Sequence, residues 1–270
     1  MAVSAKDVMA LRKRTGLGMM ECKNALEATD GDMDAAIAKL KEELGQKMSL
    51  RSDRPSEEGW IAAATKDGAV AMISLLSETD FAAKNETFQT AAAETAKLSL
   101  EEPAGEIAKA PPKAQELIDD LRITIKENIS FGKGVKLEAP KVGAYVHHNG
   151  KVGVIIAGEG DLPDDLLKGL CQHLVAADGK GQWAAPLSVD KDGLPADKLA
   201  EAKAAAVEEA KASGKPPEIA EKIAEGKVRK WTDDHTLMGQ IYIREMDAKK
   251  PVRDYVPKGA KITAFRRFDL

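Results

Sequence analysis

Apolar positions in the first 45 residues recur at helical spacing and are broken by turn residues. Val8 and Leu11 share a face after Ser4-Ala5-Lys6-Asp7, a capping pattern with an acidic third position, and Thr15-Gly16 ends that helix. A second helix is predicted over 19–28, closed by Asp30-Gly31. Met33, Ile37, Leu40 and Leu44 mark a third, with Gly45 as its stop. Residues 1–45 therefore predict a three-helix bundle with a small core. The polar stretch 46–58, with Pro55 among serine and charged residues, reads as a linker.

Beyond it the pattern shifts to that of strands. Residues 60–65 and 69–76 flank Asp67-Gly68; residues 142–148 and 152–157 flank Asn149-Gly150. Both dipeptides suit tight hairpin turns in which both central residues take positive φ. Each hairpin is followed by a helical segment, 86–98 and 164–176, which makes a weak internal repeat. A helix around Leu117, Leu121 and Ile125 is expected to cover the first sheet, and Val135 and Leu137 to add a strand. The fold class is α+β: two related subdomains with antiparallel sheets, 59–139 and 140–270, meeting near Pro140. The second is interrupted at 196–230 by an Ala-, Glu- and Lys-rich helical hairpin, punctuated by Ser213-Gly214 and Pro216-Pro217. The segment 232–270 then returns to the core through strands at 241–243 and 262–268.

Composition narrows the function. The chain has 270 residues, 43% hydrophobic, enough for more than one core. Only 4% are aromatic, so those cores rest on Ala, Leu, Ile and Val. Forty basic and 44 acidic residues are intermixed, and no basic stripe with interleaved aromatics points to nucleic acid. Cys22 and Cys171 lie in separate segments, so a reducing cytoplasmic setting with buried, unpaired thiols is expected. Cys171-Gln172-His173 has no second ligand pair nearby to make a metal site. The most apolar stretch, 69–76, is too short to span a bilayer.

Catalytic signatures fail. GxxxxGK[ST], HExxH and GxSxG do not occur, and Gly132-Lys133-Gly134 is too short to cradle phosphate. His147 and His148, as consecutive strand residues, would face opposite sides and not share a metal. No cofactor, no metal and no enzyme activity are expected.

The stretch from Ser74 to Lys84 carries the most information. An apolar strand runs out into Thr79-Asp80-Phe81, and a helix starts directly after. Two readings stand side by side: Thr79 or Asp80 as N-cap with Phe81 as a staple on the first turn, or an aromatic and a carboxylate presented at a loop corner for contact.

That stretch, together with Leu11-Arg12-Lys13-Arg14-Thr15-Gly16-Leu17-Gly18-Met19-Met20-Glu21-Cys22-Lys23-Asn24-Ala25-Leu26, resembles the two signatures of the elongation factor Ts family. Leu237-Met238-Gly239-Gln240 and Phe265-Arg266-Arg267-Phe268 extend the resemblance over essentially the whole chain. It implies a UBA-like (ubiquitin-associated) fold for the N-terminal bundle and a two-part core. It implies a guanine nucleotide exchange factor of translation elongation that binds elongation factor Tu carrying GDP and disturbs its Mg²⁺ site. Thr79, Asp80, Phe81 and Ala82 are the residues it assigns to Mg²⁺ dislocation, and Arg12, Met19, Met20, Lys23 and His147 to partner binding. Apart from the resemblance, Met19 and Met20 stand at a helix start where one can face the core and the other solvent, and a methionine is more often core filler than contact. Ser74, Leu76, Ala82 and Lys126 depart from the family pattern, where an acidic residue, Asn, Val and Gly are usual. A non-catalytic adaptor with a UBA-like domain is the alternative from another class.

Overall fold

The computed structural model describes residues 3–49, 54–181, 183–212 and 214–270. These fall into two compact units: 3–62 with 73–134 and Leu270, and 63–72 with 135–269. Nine α-helices and seven β-strands are found among the described residues.

In the first unit, α1 (Ala5–Thr15), α2 (Met19–Ala28) and α3 (Met33–Ser49) form the three-helix bundle. Ser4 caps α1 by accepting from the Asp7 amide, and Gly16 ends it at φ +70°, a left-handed conformation that glycine adopts without steric cost. Val8, Leu11, Leu17, Cys22, Ala25, Leu26, Ala36, Leu40 and Leu44 make its core. Gly45 does not stop α3, which runs on to Ser49. A helical glycine costs only about 1 kcal/mol against alanine, and the flanking Glu42, Glu43, Gln46 and Lys47 are good helix formers. The linker expected at 46–58 therefore begins inside a helix; its residues 50–53 lie outside the described residues.

The same unit holds α4 (Asp80–Ala83), α5 (Glu86–Leu98) and α6 (Pro112–Ile125). A four-stranded sheet has the order β1 (Glu58–Lys66), β2 (Ala69–Ser77), β4 (Ser130–Glu138), β3 (Gly105–Ile107). α6 packs against α5 and α3, and Ile123 joins the bundle core. Leu117, expected on the packing face, is exposed; Ala114, Ile118, Leu121 and Ile123 are buried instead. A helix covered on two sides buries a wider arc than one apolar stripe predicts. The short β3 has no counterpart in the apolar pattern, because two of its three residues are exposed.

In the second unit, β5 (Lys141–Val146), β6 (Val152–Glu159) and β7 (Lys261–Asp269) form an antiparallel sheet in that order. α7 (Asp164–Ala176) packs on β5 and β6. Val154, Ile156, Leu162, Leu167, Leu170, Leu174 and Ile262 fill the space between them, with Cys171. Burial pushes the Cys171 thiol up to about 12, so it remains protonated and unreactive.

α8 (Ala196–Ala212) and α9 (Pro217–Asp234) make the antiparallel hairpin through an alanine seam of Ala206, Ala210, Ala220 and Ala224; Ser213 lies outside the described residues. The chain leaves and re-enters by backbone hydrogen bonds from Leu187 to the His235 carbonyl and from Leu237 to the Ser188 carbonyl. The strand expected at 241–243 is not formed. Ile241 makes one bridge to Pro251, and a 3₁₀ turn runs from Ile243 to Ala248. Burial of Tyr242 and Val252 in the core draws the backbone off the line a strand would follow.

Both hairpin turns differ from expectation. Gly68 and Gly150 take φ of +72° and +69°, whereas Asp67 and Asn149 keep negative φ. Glycine alone carries the left-handed residue, and Asn149 uses its side chain to accept from the Lys151 amide.

Candidate partner-binding site

β2 is buried along most of its length and ends at Ser77, whose hydroxyl donates to the Thr79 carbonyl at 2.9 Å. The chain then turns through Thr79 (φ −130°, ψ 154°) into the single turn of α4. Thr79 is the N-cap: its hydroxyl accepts from the Ala82 amide at 3.2 Å. Ala82 and Ala83 face inward and are buried. Asn85 caps the next helix, α5, through the Thr87 amide at 2.8 Å.

Phe81 is 83% exposed, more than any other large apolar residue among those described. It is not a staple. The cap half of the local reading holds for Thr79, and the staple half fails. Asp80, the first residue of α4, pairs with Lys84 at 2.7 Å. The Lys84 hydrogen bond holds the Asp80 carboxyl below its ordinary range, and Asp80 in turn raises Lys84. Asp80 is therefore a half-buried, ionised acceptor shielded on one side by a lysine ammonium.

The corner is held from outside by residues that sequence reasoning did not single out. Glu127 accepts from the Thr79 amide at 3.1 Å and from the Thr79 hydroxyl at 2.7 Å. Glu78 accepts from the Asn128 amide at 2.7 Å and from Arg54 at 3.1 Å. Glu127 and Asn128 lie 48 and 50 positions from their partners, so no local pattern betrays them. The preceding Lys126 caps α6 at φ +66°, and its ammonium reaches both oxygens of Glu21 at 3.0 Å. A lysine in this left-handed conformation costs about 1–2 kcal/mol relative to the right-handed one, which is the structural meaning of glycine being usual there.

Met19 and Met20 open α2, where the Gly18 amide donates to Glu21 at 2.9 Å. Both are exposed, at 50% and 63%. Neither fills the core, because Leu17, 3% exposed, already closes that end of the bundle. Arg12 is exposed on α1, and Lys23 pairs with Glu27 one turn on at 3.6 Å. Glu21 and Thr79 are thus both tied to the end of α6, through Lys126 and Glu127.

His147 belongs to the second unit. It lies in the turn after β5, its amide donating to the Val152 carbonyl at 2.8 Å. Its Nδ1 is 3.3 Å from the Tyr145 hydroxyl, and its ring lies 4.2 Å from that of His148. The two imidazoles touch instead of facing opposite sides, since strand alternation no longer applies in a turn. Among the described residues no group of three or more His, Cys, Asp or Glu is placed to hold a metal ion, and no helix is long and apolar enough to cross a membrane.

The described residues form an α+β fold with an N-terminal helical bundle and a corner that carries an exposed aromatic. The family model described as Elongation factor TS matches residues 78–270. The chain is 37% identical to elongation factor Ts of Francisella tularensis subsp. novicida, over 99% of this chain and 92% of the relative. It is 33% identical to that of a Nitratiruptor species, over 100% of this chain and 93% of the relative. The chain belongs to the elongation factor Ts family, and with it to the translation elongation factors.

Proposed function

We propose that this chain is a cytoplasmic guanine nucleotide exchange factor for elongation factor Tu, performing no bond chemistry itself. The observation that carries the reading is Phe81, a large apolar side chain left in solvent on a backbone fixed by a cap and two carboxylates. An exposed phenylalanine on a mobile loop would be an aggregation liability; on a fixed corner it is a wedge.

A GTP-binding protein holds GDP through backbone amides and a Mg²⁺ ion bridging phosphate and side-chain oxygens. An exchange factor must bind the Mg²⁺-free or empty state more tightly than the GDP state, and linkage then weakens GDP by the same factor. Reversing a population from about 1:99 to 99:1 takes about 5.5 kcal/mol of differential affinity. Phe81 enters an apolar slot between helices of the partner and shifts the element that orders the Mg²⁺ site. Asp80, ionised, competes for the donors around the ion. Arg12, Met19, Met20 and Lys23 on the UBA-like bundle, and His147 on the second unit, hold the partner in both states and so contribute binding without release.

The test is elongation factor Tu loaded with fluorescent GDP. Fast release of the label at substoichiometric amounts of this chain is the expected result. Stable co-elution without release would replace the proposal with a passive adaptor, and no interaction would end it.

A further inference from the structure

We infer that Glu127 is a positioning residue for the release step: through Thr79 it fixes the direction in which Phe81 leaves the corner. The inference rests on the exchange reading above and adds a residue to it that neither signature contains.

α4 has only four residues, too few to hold its own direction by helical hydrogen bonding. Ala82 and Ala83 give it little side chain to pack, and Phe81 is in solvent. The aim of Phe81 is therefore set by the backbone of Thr79, two residues upstream. One carboxylate takes both of that residue's donors: Glu127 Oε2 receives the amide at 3.1 Å, and Oε1 the hydroxyl at 2.7 Å. With its proton so committed, the hydroxyl oxygen turns its lone pairs to the Ala82 amide at 3.2 Å. Charge, hydroxyl and cap act in series, an arrangement in which each bond strengthens the next.

Glu127 is itself held. Asn128 donates its amide to Glu78 at 2.7 Å and its side chain to the Arg54 carbonyl at 2.8 Å, and Ser56 donates to the Asn128 carbonyl at 3.1 Å. The two segments thus clasp reciprocally: Glu78 binds the backbone beside Glu127, and Glu127 binds the backbone beside Glu78. The Ser77 hydroxyl and the Ala83 amide hold the Thr79 carbonyl alone and leave its other side free to turn. Two to one carboxylate, with the clasp beside them, remove that freedom.

Glu127→Ala and Glu127→Gln test this. The amide oxygen of glutamine still accepts the Thr79 hydroxyl, but its NH₂ cannot accept the backbone amide. Each variant is followed in two ways: hydrogen exchange at the Thr79 and Ala82 amides in the free chain, and label release from elongation factor Tu. Glu127→Ala should lose protection at both amides, slow release at saturating factor by about tenfold or more, and leave the half-saturating concentration within about twofold. Glu127→Gln should fall between it and the parent. The Phe81→Ala/Glu127→Ala double variant should be slower than either single variant by less than the product of the two effects, because Glu127 acts only through the corner that carries Phe81 and Asp80. Parent-like release by folded Glu127→Ala or Glu127→Gln beside slow Phe81→Ala overturns this inference alone. So does a multiplicative double variant, or unchanged amide protection. Normal release by Phe81→Ala overturns the exchange reading and this inference with it.

Discussion

Phe81→Ala is the sharpest single perturbation, because the free chain makes so little use of the side chain. With 83% of the residue exposed, its removal forms no cavity, and unfolding free energy should stay within about 0.5 kcal/mol of the parent. The consequence in the complex is large. A phenylalanine side chain carries about 150–250 Å²; with 83% of the residue in water, roughly 120–210 Å² remains to be buried. At about 25 cal/mol per Å² that is about 3–5 kcal/mol, less about 0.5–1.5 kcal/mol for ordering the side chain. If half of the remainder is realised only as the partner distorts, release at saturating factor should slow by about 3- to 50-fold, since 1.4 kcal/mol is a factor of ten. Stopped-flow release of fluorescent GDP, with the factor varied past saturation, separates the maximal rate from the half-saturating concentration. Thermal melts run beside it. A stably folded Phe81→Ala protein releasing GDP within about twofold of the parent's maximal rate would refute the wedge. A melt shifted by several degrees would contradict the exposed placement.

Asp80→Ala should also slow release, and its defect should shrink when EDTA strips the ion, because Asp80 acts on the groups around Mg²⁺. His147→Ala should raise the half-saturating concentration and change the maximal rate little; the opposite pattern places it in the release step. Replacing 196–230 with a Gly/Ser linker of about six residues, which spans the ~10 Å between packed helices, should leave near-normal release. That variant keeps Asp233, on which Gly239 sits without room for a Cβ, and the Leu187–His235 and Leu237–Ser188 closures. A large loss of release with the remaining circular dichroism intact would give the hairpin a productive contact. Finally, burial lowers the affinity of His173 for a proton despite its hydrogen bond to Gln240 at 2.9 Å. Its Nδ1 already accepts from the Ile243 amide at 3.3 Å. For a base with a depressed folded value, stability is full above the unfolded value of about 6.5 and is lost below it, where only the unfolded chain takes the proton. Urea unfolding should therefore weaken from pH 7 to 5 by at most about 1.4 kcal/mol per unit from this residue, and His173→Gln should lack that share of the slope.

The sequence by itself determined the elements and their order. Helical spacing and turn residues place α1, α2, α5 and α7, and two glycine turns place the hairpins, since these depend on neighbours within a few positions. Most of its failures come from distant contacts. Leu117 and the 241–243 segment depart from expectation because what surrounds them comes from distant parts of the chain, where burial of Tyr242 and Val252 overrides strand propensity; at Gly45 the cause is local, a glycine cost that the flanking helix formers outweigh. The candidate site divides the same way. Thr79-Asp80-Phe81 and the opening of α2 are legible as motifs, and so is the cap. That Phe81 faces water and that both methionines are exposed follows from where the cores end. Glu127 and Glu78 are ordinary surface letters in the sequence; only the approach of residues about 50 positions apart turns them into the clasp around the corner. Local backbone preference wrote the motif, and long-range hydrogen bonding decided which way it points.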